Sequence, residues 1–144
     1  MKKKLNCILL IDDDAATNFL SNIIIGEAEC TLHIKTRQTA KDALNYISDS
    51  SDTIDMAGAM PYPDLIFLDI NMPSMDGWEF LGKYKELTNK PHHIPIIIML
   101  SSSVDPNDKL KALNIPEVSD IHSKPMTPEI INSIIIKYFP SYVE

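Results

Sequence analysis

The chain has 144 residues, 44% of them apolar and 23% charged, which suits one domain with one sizeable core. A net charge of -7 argues against nucleic acid or an acidic membrane surface as the main partner, and the Lys2–Lys4 run is too short to reverse that. No apolar stretch approaches the roughly 18 residues that a spanning helix needs, and the N-terminus lacks the apolar core and small-residue cleavage site of a secretory signal. A cytoplasmic protein without membrane insertion is the expectation. The two cysteines, Cys7 and Cys30, have neither metal spacing nor a disulfide framework.

Asn6 to Ile11 is a nearly continuous apolar run, as expected of a strand buried on both faces. Asp12, Asp13 and Asp14 follow at its end, and Asp14 is placed to cap the next helix. From Ala15 to Ile25, apolar residues recur at helical spacing (Ala16, Phe19, Leu20, Ile23, Ile24), with Gly26 as a stop. Leu32 to Lys35 reads as a short second strand. Thr39 opens a helix with Ala40, Ala43, Leu44 and Ile47 on one side. Ser48 to Pro63 is poor in anchors and rich in Ser, Asp and Pro, so it reads as a long loop, above the usual connection length.

Leu65 to Leu68 forms the central apolar run, and Asp69 follows at once. Met75-Asp76-Gly77 turns the chain into a helix from about Trp78 to Leu87, with Phe80, Leu81 and Tyr84 inward. Ile96 to Leu100 is a fourth strand ending in Ser101, Ser102 and Ser103. Asp105-Pro106 opens a short helix anchored by Leu110 and Leu113. Val118 to Ile121 is a partly polar edge strand followed by Lys124-Pro125. Thr127-Pro128 starts the last helix, which Ile130, Ile131, Ile134, Ile135 and Tyr138 carry as far as Pro140, an apolar coverage broad enough for part of it to face a partner. Five strands alternating with five helices imply an α/β, doubly wound parallel sheet covered on both faces by right-handed crossovers.

Such sheets bind ligands at the carboxyl ends of their strands. Here those ends carry Asp12 and Asp13, Asp69, Ser101 and Lys124. A lone carboxylate at a strand end is either chemistry or the place where the chain reaches water. Several crowded together repel one another, and a cation removes that cost. Two or three carboxylates, one backbone carbonyl and water suit Mg²⁺, which often sits beside phosphate. Asp as nucleophile, with Lys and a hydroxyl to neutralise phosphoryl oxygens, makes a phosphoryl-transfer set. The four histidines (His33, His92, His93 and His122) do not cluster and read as structural or solvent-facing.

Four pieces in order carry a resemblance: Ile-Asp-Asp-Asp (11–14), Phe-Leu-Asp-Ile-Asn-Met-Pro-Ser-Met-Asp-Gly (67–77), Met-Leu-Ser-Ser-Ser (99–103) and Ser-Lys-Pro (123–125). Together they resemble the receiver domain of two-component response regulators, of the stand-alone, chemotaxis-regulator-like type, over essentially the whole chain. The resemblance implies a flavodoxin-like sheet of order 2-1-3-4-5 and one receiver domain over 1–144, with an enlarged loop near 48–63 and no output domain. It implies Asp69 as the phosphoryl acceptor, and Asp12, Asp13, Asp69 and the Asn71 carbonyl as ligands of Mg²⁺. Ser101 is implied as the hydroxyl that swings to the phosphoryl group, with Ser102 the lesser candidate because the preceding run, Ile96 to Leu100, is one residue longer than is usual after its proline. Lys124 is implied as its ion partner, ahead of a cis bond to Pro125. Ile70, Asn71 and Ser102 would tune access of hydrolytic water, and Pro73 and Gly77 would shape the loop.

The partners so implied are a sensor or hybrid histidine kinase or a phosphotransfer protein, then a downstream protein target or a second copy. Self-phosphorylation and its reversal are expected, not turnover of outside substrates. Two departures stand out: Ile121 occupies a position where the family usually has Tyr or Phe, and the 48–63 segment is long. The rival readings are a small phosphoaspartate-type phosphatase, a receiver-like binding module that does not use phosphorylation, and a flavodoxin-type nucleotide binder. Asn71, where such a phosphatase needs a second Asp, speaks against the first. The complete polar set speaks against the second. The lack of a Gly-rich or Ser/Thr-rich loop after the first strand speaks against the third.

Overall fold

A computed structural model describes residues 3–50, 60–87 and 94–142. Chain order is β1 (Leu5–Ile11), α1 (Ala15–Glu27), β2 (Thr31–Arg37), α2 (Ala40–Asp49), β3 (Leu65–Asp69), α3 (Gly77–Lys85), β4 (Ile96–Ser101), α4 (Pro106–Leu113), β5 (Val118–Ser123) and α5 (Pro128–Tyr138), with a 3-10 turn at Pro140–Tyr142. The strands pair in parallel in the order β2-β1-β3-β4-β5, as the resemblance implied.

The apolar runs make sense of the layers. Alternate residues of a strand point to opposite faces. Leu9, Ile11, Ile66, Leu68, Ile97 and Met99 pack into one core with α2 and α3, through Tyr46, Ile47, Phe80, Leu81 and Tyr84. Their neighbours Ile8, Leu10, Leu65, Phe67, Ile98 and Leu100 face a second core with Ile25 of α1 and Ile131, Ile134 and Ile135 of α5. Burying a large apolar side chain contributes about 1.5–3 kcal/mol each, so the three central strands dominate the stability. Register then aligns the strand ends: Ile11 pairs with Leu68, Asp69 with Leu100 and Ser101 with Ser123.

Helix starts follow the sequence signals. Asp14, Thr39, Asp76, Asp105 and Thr127 each cap a helix by accepting a backbone N–H, and Asp76 with Glu79 forms a reciprocal capping box.

Two helices turn differently from their apolar spacing. In α1, Phe19, Leu20 and Ile23 are exposed, and Asn18, Ser21 and Ile25 face inward. The Asn18 amide donates to the Asp12 carbonyl oxygen at 2.9 Å, and that bond helps set the rotation of the helix. In α4, Leu110 and Leu113 are 60% and 70% exposed, so they are not its anchors. Ala112 is the buried residue, because a small side chain lets the helix lie close over the partly polar β5. β2 is longer than its apolar part, and α3 stops two residues earlier than its pattern suggests.

Of the long 48–63 segment, residues 51–59 lie outside the described residues. Its two ends are better anchored than the composition implies. Ser50 caps α2 through its hydroxyl on the Ile47 carbonyl, Tyr62 is buried, and the buried Tyr46 hydroxyl donates to the Pro61 carbonyl at 2.6 Å. His92 and His93 fall outside the described residues, His33 is exposed, and His122 lies 3.5 Å from an Asp120 carboxylate oxygen. Cys7 is buried within β1, as expected of a small hydrophobe. Among the described residues no helix is long and apolar enough to cross a membrane.

Candidate active site

The parallel register brings the carboxyl ends of β1, β3, β4 and β5 to one edge. β1 ends one residue before Asp12, which is 5% exposed; β3 ends on Asp69, which is 3% exposed. Asp13 points out to solvent beside them. One carboxylate oxygen from each of Asp12, Asp13 and Asp69 lies within 4.8 Å of the others.

Lys124, one residue past β5, closes the cluster. Its ammonium donates to Asp12 Oδ2 at 2.7 Å and to Asp69 Oδ1 at 3.1 Å, with the side chain 18% exposed. Its backbone N–H donates to the Ser101 carbonyl at 2.8 Å, and the following bond to Pro125 is cis. The backbone of β4 thus helps aim the lysine. Asp12 is also held by the Asp14 N–H on Oδ1 at 2.9 Å. Asp69 Oδ1 accepts the Asn71 N–H at 3.3 Å, so Asn71 lies against the Asp69 carboxylate through its backbone.

Burial is the main force on Asp69. It pushes the carboxyl up to about 6; hydrogen bonding to Lys124 pulls the other way, and the Asp12 charge adds to the rise. Burial also works against the Lys124 ammonium, but its contacts with Asp12 and Asp69 outweigh that and raise its pKa. The lysine therefore stays charged and partly offsets two buried carboxylates. An isolated pair of such carboxylates would be costly.

Ser101 is buried at the end of β4, but its hydroxyl is engaged in its own loop. It donates to the Ser103 carbonyl at 3.0 Å and accepts the Ser103 N–H at 3.2 Å. Ser102 is exposed. The structure thus gathers Asp12, Asp13, Asp69 and Lys124 into one contact set, with Ser101 adjacent through the Lys124 backbone and turned into its loop.

Gly77 carries a requirement that its sequence position only hinted at. A Cβ there would lie 2.7 Å from the Asp69 carbonyl oxygen and 3.0 Å from Ile70 Cα, both backbone atoms. Its N–H donates to the Ile70 carbonyl at 2.8 Å, which ties the start of α3 to the segment after Asp69. Ser74 takes a positive φ of 68° in the intervening turn. Asn18 was not among the expected site residues. The only signal for it was a polar residue four positions after the Asp14 cap, on the face that proved to point inward.

The donors in this cluster are hard carboxylate oxygens from three aspartates, close together and only partly neutralised by one lysine. That chemistry fits Mg²⁺, which takes oxygen ligands and keeps much of its water.

Comparison with known proteins agrees with this geometry. A family model described as a response regulator receiver domain matches residues 8–136. A hybrid signal transduction histidine kinase D from Dictyostelium discoideum is 33% identical over 132 residues, covering 89% of this chain and 8% of its own length. Transcription factor SKN7 from Saccharomyces cerevisiae is 28% identical over 131 residues, covering 91% of this chain and 18% of its own length. The chain therefore spans a small part of these curated relatives. Among solved structures, a two component response regulator from Cytophaga hutchinsonii is 32% identical with a TM-score of 0.81, covering 96% of this chain and 99% of that one. With its sheet order, its acidic strand ends and these matches in agreement, the chain belongs to the response regulator receiver domain family of two-component signalling.

Proposed function

We propose that Asp69 accepts a phosphoryl group from a phosphohistidine on a sensor or hybrid histidine kinase or on a phosphotransfer protein. A carboxylate oxygen of Asp69 attacks phosphorus. The new O–P bond forms as the donor P–N bond breaks, and the donor leaves as imidazole. Water later attacks the acyl phosphate, the O–P bond breaks, and the carboxylate and orthophosphate are restored. The observation that carries this reading is the Lys124 ammonium bridging Asp12 and Asp69, with Asp13 in reach.

Asp12, Asp13, Asp69 and the Asn71 carbonyl would hold Mg²⁺. When bound, the cation neutralises phosphoryl charge and relieves repulsion among the carboxylates. Lys124 is placed to exchange one of its carboxylate contacts for a phosphoryl oxygen, which suits its flexible stem and point charge. For Ser101 to donate to the same group, its hydroxyl must leave Ser103. The surface of α4, β5 and α5 would then present the altered state to a downstream protein target or to a second copy, in the cytoplasm. The receiver domain so described turns over no outside substrate.

Acetyl phosphate with Mg²⁺, followed by intact mass, tests the reading. A gain of one phosphoryl group that D69N abolishes is expected. No gain in the wild-type chain would overturn the proposal.

A further inference from the structure

Resting on the reading of Asp69 as phosphoryl acceptor, we propose that Lys111 on α4 and Trp78 on α3 form a latch that holds α4 in its unphosphorylated position. Lys111 is thereby a positioning residue for the response.

Trp78 belongs to a frame fixed to the site. It is the second residue of α3, directly after Gly77, whose N–H is bonded to the Ile70 carbonyl and where an added Cβ would run into the Asp69 carbonyl oxygen. Its ring is partly buried against the core on that side of the sheet. The Lys111 ammonium lies 4.6 Å from the centre of that ring.

α4 lies along β5 but buries little side-chain area. Of its eight residues, Ala112 is the buried one, while Leu110 and Leu113 stand in solvent. Elements with so little buried apolar contact shift at low cost. The connection from β4 is short: Ser101 ends the strand and Asp105 caps α4, accepting the Asp108 N–H at 2.8 Å. Within it, the Ser101 hydroxyl holds both the N–H and the carbonyl of Ser103. Turning that hydroxyl toward a group on Asp69 frees both backbone groups at once, and the loop can then reposition the start of α4.

Ile121 of β5 is buried beneath this region and has no polar atom to offer Ser101. The movement therefore has a direct route through the loop to α4, and the contact that resists it runs from α4 back to α3. A second link spans the same seam, where Lys85 at the end of α3 pairs with Glu117 beyond α4 at 3.6 Å. Lys85 is 46% exposed, but Glu117 is 27% exposed with its paired Oε1 buried, so this pair ties the segment after α4 to the end of α3 and stays in place in every variant tested below.

The consequence is reciprocal. If phosphorylation releases Lys111 from Trp78, weakening that contact must favour phosphorylation, because coupling between two sites acts equally in both directions. An exposed cation–π contact of this kind corresponds to roughly two- to fivefold in an equilibrium constant.

The experiment uses the full chain with K111M, K111R and K109M. Affinity for fluoroberyllate in the presence of Mg²⁺ is measured by calorimetry, and Trp78 emission is followed in parallel. K111M is expected to bind about two- to fivefold more tightly. Its resting emission should be displaced toward that of the fluoroberyllate-bound wild type. K111R, which keeps a cation over the ring, and K109M, which removes a lysine away from it, should match the wild type. Equal affinity and equal resting emission in K111M and wild type would overturn the latch. So would an equal effect from K109M, which would mean net charge alone. A wild-type chain that gains no phosphoryl group from acetyl phosphate would remove the proposed function and the latch together, so the two failures are told apart.

Discussion

Replacing Asp69 by Asn should make the metal-free protein more stable at neutral and alkaline pH. Asp69 is 3% exposed and faces the Asp12 carboxylate, and its carboxyl is pushed up to about 6, first by burial. The ordinary value for an Asp is 3.8. The folded protein therefore holds a proton on Asp69 across a window where the unfolded chain has lost it. Stability contributed by that proton is fully present below about pH 4, declines as pH rises, and is gone above about pH 6. The difference corresponds to an upper bound of about 3 kcal/mol, at 1.36 kcal/mol per tenfold change in proton affinity. Asn keeps the shape and has no charge to desolvate, but it gives up part of the ion pair with Lys124, so about 1–2 kcal/mol is the expected gain. Urea unfolding of both proteins in EDTA at pH 8 and at pH 4.5 measures it. At pH 8, D69N should unfold at higher urea and, by heat, at a Tm raised by roughly 2–4 °C per kcal/mol. At pH 4.5 the gap should close, since other titrating groups cancel in the difference. Saturating Mg²⁺ should narrow the gap at pH 8 by stabilising the wild type through binding. A D69N protein no more stable than wild type at pH 8, or a gap that ignores pH, would refute burial as the cause of the raised pKa.

Two further substitutions probe the same edge of the sheet. K124M leaves Asp12 and Asp69 without their shared ammonium and should lose about 2–4 kcal/mol in EDTA, recovering much of it in Mg²⁺; chemical unfolding with and without the metal reads this directly. It should keep the fold by circular dichroism while losing much of the emission change at Trp78 on adding fluoroberyllate. G77A drives a methyl against the Asp69 and Ile70 backbone and should cost about 1–3 kcal/mol, with slower phosphorylation by acetyl phosphate even where the protein remains folded.

The layered fold and most of the site were legible in the chain for one reason. β1, β3 and β4 are apolar on both faces, and such strands have one stable place, the centre of a parallel sheet. Once strands are stacked in parallel, the residues just past their ends share an edge, so Asp12 and Asp69 meet if β1 and β3 are neighbours; the apolar runs do not set that order, which the resemblance implied and the sheet has. Helix starts were equally local, because Asp76, Asp105 and Thr127 cap through atoms only three residues away.

Rotation of the helices was not local. The apolar spacing of α1 and α4 marks a face but cannot say what it meets. Asn18 reaches a carbonyl six residues back, and Ala112 lies over a strand that follows it, so contacts formed only in the folded chain expose Phe19, Leu20, Leu110 and Leu113. The protonation of Asp69 also depends on the folded state, since it comes from burial and from Asp12, 57 residues away in sequence. Composition and order determined which groups could meet; the packed structure decided which way each one faces and what charge it carries, because desolvation and long-range contact exist only after folding.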